Sequence, residues 1–505
     1  MAILSRYPPR VYHCKMTHIS FSFSDAQLDE FGPVVLGVFG TAENPQLFNS
    51  DAFTPEQLVA IGASPKSQVI TRTLAAGGAA YLLVGVGAAS TPTTDDWREI
   101  GGAIARSAGS SAGLQIAFGN IEKSHAYAVA EGVALGNYKI KSQKKDAKPA
   151  ELTKVHFVTG HTFTANEHLR LRVLAEAVHK TRDLAVTPAN LLYPELFAQL
   201  ATREAIENGL QVQVWDEHEL ARDGFGAILS VGQGSANKPR LVKISYKPDN
   251  ADLHVAVVGK GITFDTGGYA IKPLAGMYGM KYDMTGSATA FSAVLAAAQL
   301  QLPIRVTAWL CLAENMVSST AVKPGDVVKA RNGKTIEVVN PDAEGRMVLA
   351  DGLSAASEEQ PDLIIDVATL TGAARIALGT RYAALMGTAQ GVAIAEVAAE
   401  EAGEFVWNMP FPKEIRKSID SDVADLANAK IGATGGTLLA GHFLREFIGQ
   451  KPDGTSLEWA HLDVAGPADN EGSAYGFTPS GPTGAIVRTV IGMFETMAVK
   501  NGYQR

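Results

Sequence analysis

From residue 210 onward the chain repeats a unit that leaves few folds open: a strand-length run of almost unbroken apolar residues, then a helical stretch. LQVQVWD (210–216), PRLVKISYK (239–247), LHVAVVGKG (253–261), IRVTAWLCLA (304–313), LIIDVATL (363–370) and EWAHLDVAG (458–466) are the strand runs. An alternating strand covers one face of a core, whereas runs this continuous demand burial on both faces, under helices. TGSATAFSAVLAAAQL (285–300), rich in small residues, reads as one such covering helix. The first part of the chain repeats the theme on a smaller scale. PVVLGVFG (33–40), AYLLVGVG (80–87), LQIAFGN (114–120) and VHFVTG (155–160) read as strands, and DWREIGGAIARSAG (96–109) as a helix between them. The lysine-rich stretch at 139–154 reads as a surface excursion. A helix over NEHLRLRVLAEAVHKTRDLAV (166–186) follows, and TPAN stops it, because proline disfavours helix at the residue before it.

At 505 residues the chain is too long for one ordinary core, which predicts two or three domains. A composition 46% hydrophobic and 19% charged with 50 glycines fits a soluble, turn-rich α/β protein. The net charge of −8 argues against general attraction to nucleic acid or anionic membrane, though a local basic patch such as KIKSQKK (139–145) stays open. Only Cys14 and Cys311 are present, far apart, which disfavours a disulfide framework or a cysteine metal site and suits a reducing cytoplasm. No apolar run approaches a membrane span, and the N-terminus lacks the apolar core and cleavage site of a secretory signal. Met16 is a second candidate start.

Charges embedded in apolar sequence mark the candidate site. In EVVNPDAEGRMVLAD (337–351), Asp342, Glu344 and Arg346 stand at two-residue spacing among Val338, Val339, Met347, Val348 and Leu349. If the stretch is extended, all three point to one side, and burying them requires a partner such as a metal. HVAVVGKG runs into GITFDTGGYAIKP, so Lys260, Asp265 and Lys272 come at the carboxyl end of a strand, where open α/β sheets hold ligands. Asp283 follows in MKYDMTG, just before a helix. A lone residue of this kind is usually a solvated loop charge; these lie among glycines and apolar residues instead. Asp265, Asp283, Asp342 and Glu344 would offset the charge of two divalent cations. Oxygen-rich ligation admits manganese or magnesium, and zinc also accepts carboxylates, so the spacing does not name the metal.

Other chemistries fare worse. No HExxH or clustered histidine occurs among the 11 histidines. VGKG fails the phosphate-loop pattern because Gly261 takes the Ser/Thr position, and GVGAAS (85–90) has Ser90 where a dinucleotide fingerprint needs glycine. VGQGSANKPR (231–240) reads as a loop, and no GxSxG supports a serine nucleophile.

The stretches VGKGITFDTGGYAIKP, MKYDMTGSA and NPDAEGRMVLADGL, in this order, closely resemble the leucyl aminopeptidase (cytosol aminopeptidase) family of dinuclear metallopeptidases. The resemblance continues through TRDLAVTPANLL (181–192), DVATLTGA (366–373), SDVADLANAKIGATGGTLLAGHFLREF (421–447) and WAHLDVAGPA (459–468), and more weakly through AEGVALGNYK (130–139). With it, the expected fold is α/β. A smaller N-terminal α/β domain (1–165) is joined by a linking helix and junction (166–190) to a larger C-terminal catalytic domain (191–505), with a mixed sheet flanked by helices.

The resemblance implies two divalent ions per subunit, Mn2+ or Zn2+, held by Lys260, Asp265, Asp283, Asp342 and Glu344, with Lys272 and Arg346 as the catalytic pair. It implies a bicarbonate held by Arg346 as proton shuttle. A structural ion pair with Asp342 or Glu344 is the alternative for that arginine. Lys260 could ligate only as a neutral amine, its pKa pushed down by the cations, while Lys272 would stay protonated and stabilise an oxyanion. The substrate's first side chain would meet Met280, Thr369, Leu370, Gly372, Ala465 and Ala468, each of which could equally be core packing. Ala468, small where some relatives carry a larger residue, implies tolerance of bulky first residues. Pro341 stands where the family usually has threonine and removes a backbone donor beside Asp342; Thr266 stands where serine is usual. Partners implied are peptide substrates and a homohexamer built as a dimer of trimers, in the cytoplasm. The alternative function is an architectural or regulatory DNA-binding role, which some bacterial relatives have. A different two-metal hydrolase, such as a phosphoesterase, is remote.

Overall fold

The computed structural model describes residues 19–28, 31–75, 77–88, 92–119, 121–140, 143–144, 152–249, 251–499 and 502–503. Cys14, Met16, Ser90 and, within the KIKSQKK stretch, Lys141, Ser142 and Lys145 lie outside the described residues. Two compact units emerge. One contains Lys180–Asp469 and the described part of Pro482–Arg505; the other contains the described residues up to His179 together with Asn470–Gly481. The division falls inside the helix Ala165–Val186.

The N-terminal unit is a seven-stranded sheet ordered Ser20–Ser24, Lys154–Val158, Gly113–Ile116, Val34–Gly40, Ala80–Gly87, Ile70–Leu74, with Pro45–Leu47 pairing beside Val34–Gly40. Its central runs are the apolar ones of the sequence. Trp97 and Ile100 of the helix Thr94–Arg106 and Val129 and Val133 of Lys123–Gly136 bury against Val35, Val84 and Leu114. The segment Asn470–Gly481 joins this unit, fastened where Arg106 Nε donates to Gly476 O (2.7 Å) and Gly476 N donates to Gln68 Oε1 (2.8 Å).

The larger unit carries an eight-stranded mixed sheet, ordered Phe405–Asn408, Tyr382–Gly387, Trp459–Asp463, Leu363–Ala368, His254–Asp265, Arg305–Asn315, Arg240–Tyr246, Gln211–Trp215. The four inner strands, from Trp459–Asp463 to Arg305–Asn315, run parallel, and antiparallel pairs flank them on both sides. The nearly unbroken apolar runs are these inner strands, buried along their length as double-sided coverage requires. Helix Thr285–Gln299 needs its small residues. A Cβ on Gly286 would lie 2.0 Å from Val367 O, and one on Gly259 2.5 Å from Gly286 O, so helix and strands meet at a separation only glycine allows. Helix Glu344–Glu358 covers the opposite face, its Met347 and Leu353 buried in a cluster with Ala256, Val258, Ile364 and Trp459. Among the described residues no helix is long and apolar enough to cross a membrane.

Two readings of the sequence are corrected. The strand expected to end at Gly261 continues to Asp265, so Lys260 lies within it and Asp265 closes it; pairing with Arg305–Asn315, through an irregularity between Ile262 and Phe264, carries the extended backbone onward. The Asp342–Arg346 stretch is not extended. Pro341 and Asp342 form a turn and the helix begins at Glu344, so Glu344 and Arg346, two apart on a helix, leave on different faces.

Candidate active site

The carboxyl ends of the inner parallel strands supply the site. After Asp265 the chain reverses through Gly267 and Gly268, both at positive φ (84° and 57°), so that Gly267 N donates to Asp265 Oδ1 (2.8 Å) and Lys272 N to Thr266 O (2.9 Å). This returns Lys272 to the carboxylate it has just left. Glu344 begins its helix where the exposed N–H groups favour negative charge.

One carboxylate oxygen each from Asp265, Asp342 and Glu344 lies within 4.8 Å of the others. Lys272 Nζ stands between Asp265 Oδ2 (2.9 Å) and Asp342 Oδ1 (2.5 Å). Asp283 joins through the other lysine: Lys260 Nζ stands 2.8 Å from Asp283 Oδ1 and from Glu344 Oε1, and donates to Thr369 O at 2.9 Å. All five expected ligands and Lys272 are thus connected, although Asp283 is not among the three mutually close carboxylates. Arg346 stands apart. It makes no ion pair with Asp342 or Glu344; its Nη1 donates to Asn428 O (2.6 Å) and its guanidinium lies 5.9 Å from the centre of the Phe443 ring.

The electrostatics favour added positive charge. Burial first, then repulsion from neighbouring carboxylates, raises Asp283 and Glu344 above the usual range, and burial raises Asp342. Burial works against the Lys260 and Lys272 ammoniums, but the carboxylates outweigh it and raise both. The protein's own groups therefore hold Lys260 protonated, opposite to the neutral amine that metal ligation demands. Burial lowers Arg346 to about 10, still charged at neutral pH. Asp283 Oδ2 and Glu344 Oε2 are buried with no hydrogen-bond partner. Stranded carboxylate oxygens are costly unless a cation meets them, and hard divalent cations take oxygen donors, so this donor set fits such ions.

The expected pocket residues are brought together in part. Thr369 Oγ1 donates to Asp283 Oδ1 (2.8 Å), while the amides of Leu370 and Ala465 both donate to Asp463 Oδ1 (3.1 Å each). Met280 is half-buried in the short helix leading to Asp283, Gly372 is exposed, and Ala468 is 3% exposed. Thr266 keeps the role a serine could play, donating from Oγ1 to Asn315 O (2.9 Å). Beside Pro341, the amide of Asp342 is taken by Asn340 Oδ1 (2.9 Å). Two residues escaped the reading of the sequence. Asn315 Nδ2 donates to both Asp265 Oδ1 (2.8 Å) and Pro341 O (3.1 Å), tying the Asp265 and Asp342 turns together. Asp463, wholly buried, holds the Leu370–Thr371 turn. A charged residue inside the apolar run EWAHLDVAG was the available signal for it.

The family model of the cytosol aminopeptidase catalytic domain matches residues 179–491, and that of the same family's N-terminal domain matches 55–147. The chain belongs to the cytosol aminopeptidase family. It is a metal-dependent aminopeptidase, a hydrolase. A probable cytosol aminopeptidase of Leifsonia xyli subsp. xyli is 48% identical over 446 residues, 87% of this chain and 90% of that protein. One of Micrococcus luteus is 41% identical over 490 residues, 92% and 96% of the respective chains. Among solved structures, the bottromycin maturation enzyme BotP in complex with Mn superposes with a TM-score of 0.82 at 35% identity, covering 92% of this chain and 99% of that one. The cytosol aminopeptidase of Coxiella burnetii gives 0.80 at 29%, covering 94% and 99%.

Proposed function

We propose that this aminopeptidase removes leucine and other mostly apolar residues from the N-termini of peptides, with two divalent ions held by Lys260, Asp265, Asp283, Asp342 and Glu344. The observation that carries the reading is the convergence of Asp265, Asp342 and Glu344 oxygens within 4.8 Å beside the unpartnered buried oxygens of Asp283 and Glu344. The manganese complex of BotP supports manganese as one such ion. Bound there, divalent ions supply Lewis acidity toward a carbonyl and activate water at neutral pH.

The chain's own residues do the rest. Lys272, 18% exposed at its side chain and held protonated, stands at the solvent side of the cluster, where an ammonium can donate to the oxygen that gains charge as a peptide carbonyl is attacked. Arg346, charged and with a free Nε, is suited to hold a small anion such as bicarbonate, which would supply a proton shuttle there. Thr369, Leu370 and Ala465, fastened through Asp283 and Asp463, would shape the seat of the first side chain, with Met280, Gly372 and Ala468 around it. We assign residues 1–165 to an N-terminal domain, 166–190 to the junction and 191–505 to the catalytic domain, in a cytoplasmic homohexamer.

The test is release of p-nitroaniline from leucyl-p-nitroanilide by metal-stripped protein with manganese, zinc or magnesium added back, beside an Asp342→Ala/Glu344→Ala double variant. Activity should return with metal and be lost in the variant. Silence from folded, metal-loaded protein across leucyl, alanyl, phenylalanyl and lysyl substrates would refute the reading.

A further inference from the structure

The turn that presents Asp342 and the arginine two residues into the next helix are both held by one residue of the 421–447 stretch to which the sequence assigns no role. Asn428 follows the short strand Leu426–Ala427, which pairs with Thr335–Glu337, and it is wholly buried. Its Oδ1 accepts from the amides of Val339 (2.9 Å) and Asn340 (3.1 Å), and its Nδ2 donates to Asn340 O (2.8 Å). Only this orientation of the amide satisfies all three partners, and only asparagine has an acceptor and a donor at this reach. Its own amide donates to Glu337 O (2.9 Å), and its carbonyl accepts from Arg346 Nη1 (2.6 Å). Residue 428 therefore bonds to 337, 339, 340 and 346.

The bond to Asn428 O is the one hydrogen bond of the Arg346 guanidinium among the described residues; beyond it lie the Phe443 ring and the longer-range attraction of the Glu344 and Asp463 carboxylates. The Asp342 turn, in its turn, has few other ties. Asn340, clamped by Asn428, accepts from Asp342 N, and Asn315 takes Pro341 O from the far side. Rotating or losing the Asn428 side chain frees the amides of 339 and 340 and leaves Asn340 O with Ala343 N alone (3.0 Å), which loosens the separation between Asp342 and Arg346.

We infer that Asn428 is a positioning residue that sets Arg346 against the Asp342 turn: its side-chain amide clamps the turn that presents a proposed metal-site carboxylate, and its main-chain carbonyl, held in register by that clamp, seats the arginine of the proposed proton step. The inference rests on the roles proposed above for Asp342 and Arg346. Its action on Asp342 is read through metal binding alone, and its action on Arg346 through turnover.

The experiment compares the parent with Asn428→Asp, which keeps the shape but turns the donor facing Asn340 O into an acceptor, and with Asn428→Ala. Manganese affinity is measured by calorimetric titration of stripped protein, kcat and KM on leucyl-p-nitroanilide, and thermal midpoints alongside. Changes to the residues that orient metal ligands typically cost about 10- to 100-fold in metal affinity or activity. We expect manganese affinity to fall at least about tenfold and kcat at least about tenfold, with KM within about twofold because no pocket residue is touched. In an Arg346→Ala background the Asn428→Asp loss in kcat should shrink, since residues that act through one another are not additive. A lowered thermal midpoint with unchanged metal affinity and kcat in the folded protein would overturn the inference, as would fully additive losses in the double variant. If neither variant folds, Ala427–Asn428–Ala429 is structural and the inference fails. A parent that binds manganese but cleaves nothing refutes the proposed function, while a metal affinity insensitive to Asn428→Asp refutes this inference alone.

Discussion

Replacing Asp463 should separate the energetics of the pocket from those of the metal site. Asp463 closes its strand wholly buried, with Leu370 N (3.1 Å), Thr371 N (3.4 Å) and Ala465 N (3.1 Å) donating to Oδ1 and Thr371 Oγ1 donating to Oδ2 (2.7 Å). Asp463→Ala strands the two nearer amides, whereas the hydroxyl keeps Thr437 Oγ1 at 2.9 Å. A buried donor left unpaired costs about 1–3 kcal/mol, so the loss should be about 3–4 kcal/mol after water relieves part of it at the half-buried Leu370. Asp463→Asn keeps Oδ1 for the amides and sets an NH2 against Thr371 Oγ1, which can turn to accept. It forfeits mainly the charge on the acceptor, about 1–2 kcal/mol. Urea unfolding followed by tryptophan fluorescence should therefore rank parent, Asn, Ala in falling stability. KM for leucyl-p-nitroanilide should rise in the same order, because the Leu370–Thr371 turn loses its anchor. An alanine variant within about 0.5 kcal/mol of the parent would refute the reasoning, since that is the range of an uninvolved surface change.

Acid should destabilise the catalytic unit through His254. Burial first, and the Arg305 charge next, lower His254 from 6.5 to about 4, so the folded state prefers the neutral ring. The contribution is fully present above the unfolded value of 6.5 and is lost as pH falls toward 4, amounting to about 3 kcal/mol at most. Urea midpoints of parent and His254→Gln should converge over that window, and parallel curves would contradict it. Gly345→Ala is expected to weaken manganese binding about tenfold, the scale seen when the surroundings of a metal ligand are disturbed. Its Cβ would lie 2.6–2.7 Å from Lys260 Cδ, Cε and Nζ, and Lys260, 3% exposed and tied to three partners, has no room to withdraw. Unchanged affinity by calorimetric titration would show that Lys260 is not part of the metal site.

How much was legible in the sequence depended on what each residue bonds to. Runs such as LHVAVVGKG and LIIDVATL announced the inner strands because burial on both faces leaves few polar positions to blur them. Phe405–Asn408, at the sheet's edge and largely exposed, carries no such mark and went unread, and so did Tyr382–Gly387, whose short buried run AALM is no longer than a turn of helix. The DAEGR spacing singled out two carboxylates that the fold does bring together, but not by the geometry the spacing implied. A two-residue period implies one face only on an extended chain, and here a turn at Pro341 and a helix starting at Glu344 bring Asp342 and Glu344 to Asp265 while sending Arg346 to Asn428.

The two asparagines differ from the charged residues in kind, because no period and no local pattern names them. The charges of the site must answer one another, so carboxylates and lysines accumulate in the same few loops and can be counted. Asn315 and Asn428 answer mainly to peptide groups, Asn428 to ones 88 and 89 residues away, and a peptide group is the same whatever side chain it carries. Those peptide partners leave no trace in the sequence, and only the folded chain reveals what the asparagines hold.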